Sequence, residues 1–147
     1  MLRDPSLIPL SHQHHNGLAL CVMTRRSLAA DASAENVAKL ARRAIDRYEL
    51  ELTNHFEIEE QVLFPACGEM TLIAGLVAEH RMMECLIDQM RTAPTAELLE
   101  EFCALLTAHI RREESELFEG AQREIAREAL DERGAEIDRR AIRVCLD

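Results

Sequence analysis

His55-Phe56-Glu57-Ile58-Glu59-Glu60-Gln61-Val62-Leu63-Phe64-Pro65 is the stretch from which the fold of this chain can be worked out. His55 and Glu59 are four residues apart, so a helix places the imidazole and the carboxylate one turn apart on one face. Apolar residues lie near the same side, which turns this face toward the interior. Buried polar groups without partners cost several kcal/mol, so His55 and Glu59 must bind something. We expect Pro65 to end the helix.

The composition favours one helical domain over residues 1–147, a length that allows a substantial core. Ala, Leu, Glu and Arg are abundant, and all four favour helix. Acidic residues outnumber Lys and Arg by 27 to 17, and the net charge is −10. This charge argues against nucleic acid and against an anionic membrane surface as partners.

The cysteines and the hydropathy indicate a cellular location. Five cysteines are an odd number and include no Cys-x-x-Cys pair, which indicates reduced thiols rather than a disulfide framework. No apolar run reaches the length of a transmembrane helix, and the first residues lack the apolar core of a signal peptide. We therefore expect a soluble, cytoplasmic protein.

The spacing of apolar residues predicts four long helices within a bundle of about residues 7–119. The predicted helices cover about residues 7–30, 34–64, 69–91 and 96–119. Thr95 is a candidate N-cap and Gly120 a candidate helix end, while Gly75 indicates either a weak point or a close helix crossing. Val22 belongs to the predicted inner stripe of the first helix. Because the connections are short, neighbouring helices should be antiparallel, which gives an up-down-up-down four-helix bundle.

Residues 121–143 form a charged tail that we expect to be an extra C-terminal helix, with a possible break at Gly134. Its apolar stripe is thin and includes Ile125, Ala129 and Ile137. The stripe could pack across the end of the bundle or serve as the contact of a homodimer. Since the tail carries no candidate ligand, truncation after Gly120 should leave metal binding largely intact.

An internal repeat links the second and fourth helices. Residues 55–64 align without gaps with residues 109–118, and His, Glu, Glu, Leu and Phe recur at matching positions. Each copy follows a helix that carries one inward histidine, His14 before the first and His80 before the second. The chain therefore consists of two helical hairpins, each with one histidine followed by one His-x-x-x-Glu.

These residues form a candidate metal-ligand set that faces one bundle core. Its members are His14, His55, Glu59, His80, His109 and Glu113. Imidazole with carboxylate suits iron, manganese, zinc or copper. The two carboxylates can each bridge a pair of cations, and the four imidazoles can cap the ends with coordination positions left open. The ferritin pattern Glu-x-x-His is absent, because the order of the two residues is reversed here.

Several neighbouring residues have two interpretations. One isolated His-x-x-x-Glu is usually a surface pair, but two in register favour ligands. His15 is the alternative to His14 as the ligand from the first helix. Glu60 and Glu114 are expected beside the ligands or at the surface. Tyr48 is either a core residue or a hydrogen-bond partner of a ligand. Glu51 is either a surface residue or such a partner.

The ordered motifs resemble the hemerythrin-like, or HHE cation-binding, family. The matching segments are Leu10-Ser-His-Gln-His14, residues 55–65, Glu79-His80 and His109-Ile-Arg-Arg-Glu-Glu114. The resemblance implies a non-haem centre of two iron ions with an oxo or hydroxo bridge. It also implies that Glu59 and Glu113 bridge the ions and that the four histidines are terminal ligands. Oxygen-carrying members have a further histidine where this chain has Leu76, so the implied site has one imidazole fewer.

The expected function is that of a di-iron protein that binds or senses a small ligand, dioxygen or nitric oxide, or that buffers iron. One alternative is an enzyme in which an open iron position reduces peroxide or nitric oxide. The other alternative is a structural or interaction module in which the metal only stabilises the helical bundle.

Overall fold

A computed structural model describes residues 2–68 and 70–145, and within these ranges the regular structure is helical, with no strand. The α-helices are α1 (Ile8–Ala30), α2 (Ala34–Arg47), α3 (Thr53–Ile58), α4 (Leu72–Thr92), α5 (Ala96–Arg112), α6 (Phe118–Glu124) and α7 (Arg127–Arg140). Three π-helical turns extend them, at Tyr48–Leu52, Glu59–Leu63 and Glu113–Leu117. Short 3-10 segments lie at Pro5–Leu7 and Phe64–Cys67. In the described part of the chain, no helix combines the length and the apolar character needed to cross a bilayer.

Side-chain caps fix the starts of three helical segments. Asp4 accepts a hydrogen bond from the backbone N–H of Ser6, Ser33 from that of Asn36, and Thr95 from that of Leu98. These caps satisfy N–H groups that the first turn leaves without partners. The predicted N-cap at Thr95 is therefore confirmed, whereas Glu69, the expected start of the third helix, lies outside the described residues.

One of the two predicted helix ends is confirmed. The π-helical turn ends at Leu63, Pro65 lies in the 3-10 segment Phe64–Cys67, and the chain turns at Gly68 with a φ of 64°. The other is wrong, since Gly120 lies inside α6, where a Cβ would stand 2.7 Å from the end of the Met70 side chain. The helix continues to Glu124 and ends where Ile125 becomes extended.

Gly75 and Gly134, the other two glycines that the sequence brought to attention, lie where another segment of the chain comes close. A Cβ on Gly75 would lie 2.8 Å from the guanidinium of Arg112, so this position makes room for a side chain of α5. Gly134 does not break the tail helix. It lies within α7, where the backbone of Ser6 comes so near that a Cβ would stand 2.8 Å from the Ser6 Cα.

The long helices surround two clusters of buried apolar residues. Helix α1 packs against α2 and α5, and α4 packs against α2 and α5. One cluster includes Leu52, Met83 and Leu106, and the other includes Leu10 and Leu76. Val22, which we predicted to face inward, is 48% exposed. The candidate ligands on α1, α3, α4 and α5 fall where one cluster gives way to the other, so they form a polar layer between two apolar ones.

The tail docks on its own chain. Helix α7 packs against the segment Pro5–Leu7, and Leu130 and Ile137 of the predicted stripe are buried. Arg127 forms an ion pair with Asp4 at the start of the chain. The thin apolar stripe is therefore covered within the chain, as the interpretation of a helix packed against the bundle expects.

Candidate metal centre

All six predicted ligands lie together in the polar layer. His14 comes from α1, His55 from α3, His80 from α4 and His109 from α5. All six residues are buried, with an exposed fraction between 0 and 3%. Their burial is costly unless each polar atom finds a partner, so their partners decide what the layer is for.

The two carboxylates occupy equivalent positions in the internal repeat. Glu59 is the first residue of one π-helical turn and Glu113 the first residue of another. Such turns are rare, and they occur frequently at functional sites. The repeat seen in the sequence is therefore also a repeat of the same helical irregularity, and each irregularity carries one buried glutamate.

The donor atoms form two overlapping groups. One group is His14, His55, Glu59 and Glu113, and the other is Glu59, His80, His109 and Glu113. Within each group the atoms lie within 4.8 Å of one another. Both groups contain both glutamates, so each carboxylate is placed to serve two positions at once.

Contacts between the imidazoles and the carboxylates are short. The Nε2 atom of His14 lies 2.9 Å from a Glu113 oxygen, and that of His109 lies 3.4 Å from the same oxygen. A Glu59 oxygen lies 3.3 Å from His55 Nε2 and 3.2 Å from His80 Nε2. The Nε2 atoms of all four histidines therefore point at the two glutamates.

Several of these atoms have no hydrogen-bond partner among the described residues. His55 Nε2, both Glu59 oxygens and Glu113 Oε2 are buried and unpartnered. The Nε2 atoms of His80 and His109 lie 3.2 Å apart, and their Nδ1 atoms face carboxylates. Ionised carboxylates only accept hydrogen bonds, so the Nδ1 atom of each of these two histidines carries a proton. If both rings were neutral, their Nε2 atoms would each present a lone pair to the other, which is repulsive. A cation or an added proton removes that repulsion, and the donor set fits a transition metal.

Each imidazole is held from behind through Nδ1. Glu114 accepts from His14 at 2.6 Å, and Glu60 accepts from His80 at 2.7 Å. These bonds confirm the expectation that Glu60 and Glu114 lie beside the candidate ligands. Partners of this kind are typical of metal-binding histidines, because they fix the ring and its tautomer.

Sequence reasoning missed the other two partners. Gln13 Oε1 accepts from His55 Nδ1 at 2.9 Å, and Glu79 accepts from His109 at 2.8 Å. The sequence shows only their position, since Gln13 directly precedes His14 and Glu79 directly precedes His80. Each partner holds the histidine of another helix, which spacing along one helix does not reveal.

An arginine accompanies each of the three carboxylate partners. Arg3 contacts Glu114 at 3.0 Å, Arg81 contacts Glu60 at 2.6 Å, and Arg112 contacts Glu79 at 3.5 Å. These arginines offset the negative charge that three carboxylates add near the polar layer. They lie outside the layer and contribute no donor atom to it, since guanidinium groups only donate hydrogen bonds.

The electrostatics of the layer favour bound positive charge. Burial acts against the charged imidazole, but Glu59 and Glu113 raise the pKa of His55 to about 10. Burial likewise opposes the charged form of His109, and Glu113, Glu59 and Glu79 raise its pKa to about 9. Burial would raise the pKa of Glu113, yet the contacts with His109, His14 and His55 hold it well below its ordinary value. Protons held here are the competitors of metal ions.

The remaining predictions for single residues have clear outcomes. His14 is buried, whereas His12 and His15 are exposed, so His14 is the histidine of α1 that joins the layer. Tyr48 is buried in an apolar cluster, as core packing predicts. Glu51 is buried rather than at the surface, and its hydrogen bonds go to Asn16 and Arg47 instead of to a candidate ligand.

Aromatic rings shield the layer from solvent. Phe56 stacks on His80 with ring centroids 4.0 Å apart, and Phe118 stacks on His14 at 5.1 Å. Phe56 also lines a cavity of about 430 Å³ together with Tyr48, Glu60 and Arg81. Leu76, at the position of the additional histidine of oxygen carriers, is fully buried. The layer is thus covered by aromatic and apolar side chains.

Comparison with known proteins agrees with this arrangement. A family model described as the hemerythrin HHE cation binding domain matches residues 7–121. Comparisons with curated proteins and with solved structures gave no match. The matched range covers most of the chain and includes all six residues of the polar layer. By this match, the protein belongs to the hemerythrin HHE cation-binding family.

Proposed function

We propose that this protein is a non-haem di-iron protein that binds or senses dioxygen or nitric oxide, or that buffers iron. The observation that supports this most strongly is the pair of overlapping donor groups, which share Glu59 and Glu113. Two groups that share two carboxylates suit two cations joined by carboxylate bridges. His14 and His55 would hold one ion, and His80 and His109 the other.

The residues of the chain have separate tasks in this proposal. The two glutamates bind and space the ions, the Nδ1 partners orient the rings, and Phe56 and Phe118 exclude water. Iron bound here would supply a redox couple and open coordination positions, which an oxo or hydroxo bridge and a small ligand could fill. Four imidazoles rather than five leave such positions open, because Leu76 offers no donor atom.

We also propose the finer architecture that the sequence predicted. An antiparallel up-down four-helix bundle is supported by the neighbours of the long helices, since α1 and α4 each pack against α2 and α5. The docking of α7 on the start of the chain supports one domain over residues 1–147. The five cysteines are free, which supports a reducing compartment such as the cytoplasm.

Metal analysis tests the di-iron proposal directly. Protein produced in iron-replete medium should contain two iron ions per chain, since two donor groups are present. Protein that contains zinc alone, or that binds no metal while its six residues are intact, would contradict the proposal. A metal-free preparation should take up ferrous iron under anaerobic conditions, which separates loss during purification from inability to bind.

Spectroscopy distinguishes the candidate functions. The reduced, iron-loaded protein should be exposed in turn to dioxygen, hydrogen peroxide and nitric oxide. A stable optical change with dioxygen or nitric oxide supports binding or sensing, and repeated consumption of peroxide or nitric oxide supports the enzyme. If no optical change follows any of the three, the iron is a structural staple or a stored cargo.

A further inference from the structure

The last described part of the chain lies against the polar layer. We call residues 140–144, which begin at the last residue of α7, the C-terminal strap. The backbone carbonyl oxygens of Arg140, Ile142 and Val144 all accept hydrogen bonds from side chains of the bundle. The three accepting residues are spaced two positions apart, so the bonds hold the strap at three points along its length.

Three amide side chains hold the strap. Asn54 donates to Arg140 O at 3.0 Å, Gln13 donates to Ile142 O at 3.1 Å, and Asn16 donates to Val144 O at 3.1 Å. Asn54 also accepts from the backbone N–H of Ile142 at 3.0 Å. Amides suit this task because each offers both a donor and an acceptor.

Gln13 connects the strap to His55. Its Nε2 donates to Asn54 Oδ1 and to Ile142 O, so both of its protons are used. Only its Oε1 remains for His55, and it accepts from Nδ1 at 2.9 Å. This bond leaves the Nε2 lone pair of His55 directed at the glutamates. A carboxylate at position 13 could not donate to the strap, so the strap requires the neutral amide.

The two halves of the layer differ because of this amide. His80 and His109 are both backed by carboxylates, Glu60 and Glu79. In the other half, Glu114 backs His14, but the neutral Gln13 backs His55. A carboxylate partner increases the basicity of an imidazole ligand more than a neutral amide does, and changes in such partners shift metal affinity by roughly 10–100-fold.

We propose that Gln13 is a positioning residue through which the C-terminal strap orients His55, and that it makes the His14–His55 position the weaker of the two metal positions. The inference rests on the proposed function, since it assumes that both positions take a cation. It predicts stepwise loading, in which the first ion enters the His80–His109 position and the second enters beside the strap.

Anaerobic titration of the metal-free, full-length chain with ferrous iron tests the order of loading. Calorimetry should resolve two steps, and His55→Ala and His109→Ala assign each step to its position. Glu79→Gln should weaken the tighter step by roughly 10–100-fold. Gln13→Glu gives His55 a carboxylate partner but loses the donors to Asn54 and Ile142, so it should change the weaker step and leave the tighter step unaltered. In Mössbauer spectra, Gln13→Glu should alter one of two iron signals, which a merely structural role would not do.

Asn54→Ala tests the strap without touching a candidate ligand. It removes two anchors of the strap and one partner of Gln13 but leaves the bond from Gln13 to His55. Hydrogen exchange of residue 142 should become faster, and the weaker step alone should lose affinity. Asn36→Ala is the matched control, because the Asn36 side chain bonds only Ser27 and Asp31.

The outcomes separate the two proposals. Equal affinities for the two ions, or Asn54→Ala and Asn36→Ala variants that behave alike, would overturn the role of Gln13 and leave the di-iron proposal in place. Binding of no metal by the unaltered chain would overturn both. If Gln13→Glu fails to fold, Glu79→Gln and Asn54→Ala still decide, because they should act on different steps.

Discussion

Glu59 and Glu113 are the residues that join the two halves of the polar layer, since both belong to both donor groups. Glu59→Ala and Glu113→Ala should therefore each remove most of the bound iron. Glu60→Ala removes a partner of His80 and of Arg81 but no candidate ligand, and it should lower affinity by roughly 10–100-fold. Elemental analysis after equilibration with iron measures the iron bound by each of the three variants.

The exposed Glu57 on the same helix provides the control, and Glu57→Ala should leave the iron content unchanged. Equal losses in Glu60→Ala and Glu59→Ala would show that the assignment of the bridging residue is misplaced.

His14 and His15 are adjacent in the sequence but differ in burial, and this difference predicts their roles. His14→Ala removes an imidazole that lies 2.9 Å from Glu113, so the iron content should fall from two ions toward one per chain. His15 is exposed, and His15→Ala should change neither the iron content nor, beyond about 0.5 kcal/mol, the free energy of unfolding. Iron analysis and urea denaturation of both variants check this, and a reversed pattern would contradict the assignment.

At the scale of helices and turns, two irregular segments carry the two buried glutamates of the polar layer. Glu59 and Glu113 each begin a π-helical turn, whereas regular α-helix carries the four histidines. A π-helical turn shifts the register of the helix by one residue. This shift can direct inward both the glutamate that begins the turn and the histidine four residues before it. The same turns let the next residues, Glu60 and Glu114, reach a histidine of a neighbouring helix.

Helix α7 depends on the absence of a side chain at Gly134, where a Cβ would stand 2.8 Å from the Ser6 Cα. Gly134→Ala should lower the free energy of unfolding by about 1–3 kcal/mol, because a backbone contact cannot yield as a flexible side chain can. Urea denaturation measures the change. Glu132→Ala, at an exposed position of the same helix, should stay within about 0.5 kcal/mol of the unaltered chain. A more stable Gly134→Ala variant would contradict the close packing.

At the scale of the whole molecule, the metal-free protein should lose stability as the pH rises. The pKa values of His55 and His109 are raised to about 10 and about 9, above the ordinary value of 6.5. Their contribution is therefore fully present below about pH 6.5 and is lost as the pH rises through 9 and 10. Urea denaturation of metal-free protein between pH 6.5 and 10 should show this fall.

A Glu113 variant and the iron-loaded protein should both show a weaker pH dependence of stability than the metal-free, unaltered chain. Glu113→Gln should flatten the pH dependence, since Glu113 raises both pKa values. Iron-loaded protein should also show a weaker dependence, because cations then replace the protons. Metal-free protein that becomes more stable over this range would show that the layer does not hold protons in the absence of metal.

The sequence left open a homodimer through the tail stripe, and the burial of this stripe within the chain argues against it. Leu130 and Ile137, which could have formed such a contact, are 1% and 0% exposed within the chain. We therefore expect the full chain to run as a monomer at micromolar concentration in sizing and light-scattering experiments. A dimer that survives Ile125→Ser would use a different surface.

The expectation that the tail is independent of the site also needs revision. The strap hydrogen-bonds Gln13, which holds His55, and Ala121 of α6 is fully buried. A truncation after Gly120 would therefore remove contacts of both the core and the polar layer. The sequence could not reveal this, because the bonds of the strap link residues that are 86 to 129 positions apart, and most of them use backbone carbonyls of the tail.

The sequence by itself determined the helical class and brought out the six residues of the polar layer. Both follow from local geometry, because the spacing of apolar residues and the pair His55 and Glu59 have a defined meaning within a single helix. The repeat of this pair at His109 and Glu113 then indicated one shared core. The metal that these residues would bind remains a proposal.

Tertiary structure alone decided which neighbour each of these residues meets. Periodicity tells which face of a helix is buried but not what lies opposite, so Gln13 and Glu79 could not be identified as the partners of His55 and His109. The same reason applies to the one wrong helix end. Gly120 lies within α6 and packs against Met70, and the usual preference of glycine to end a helix does not reveal a contact between distant residues.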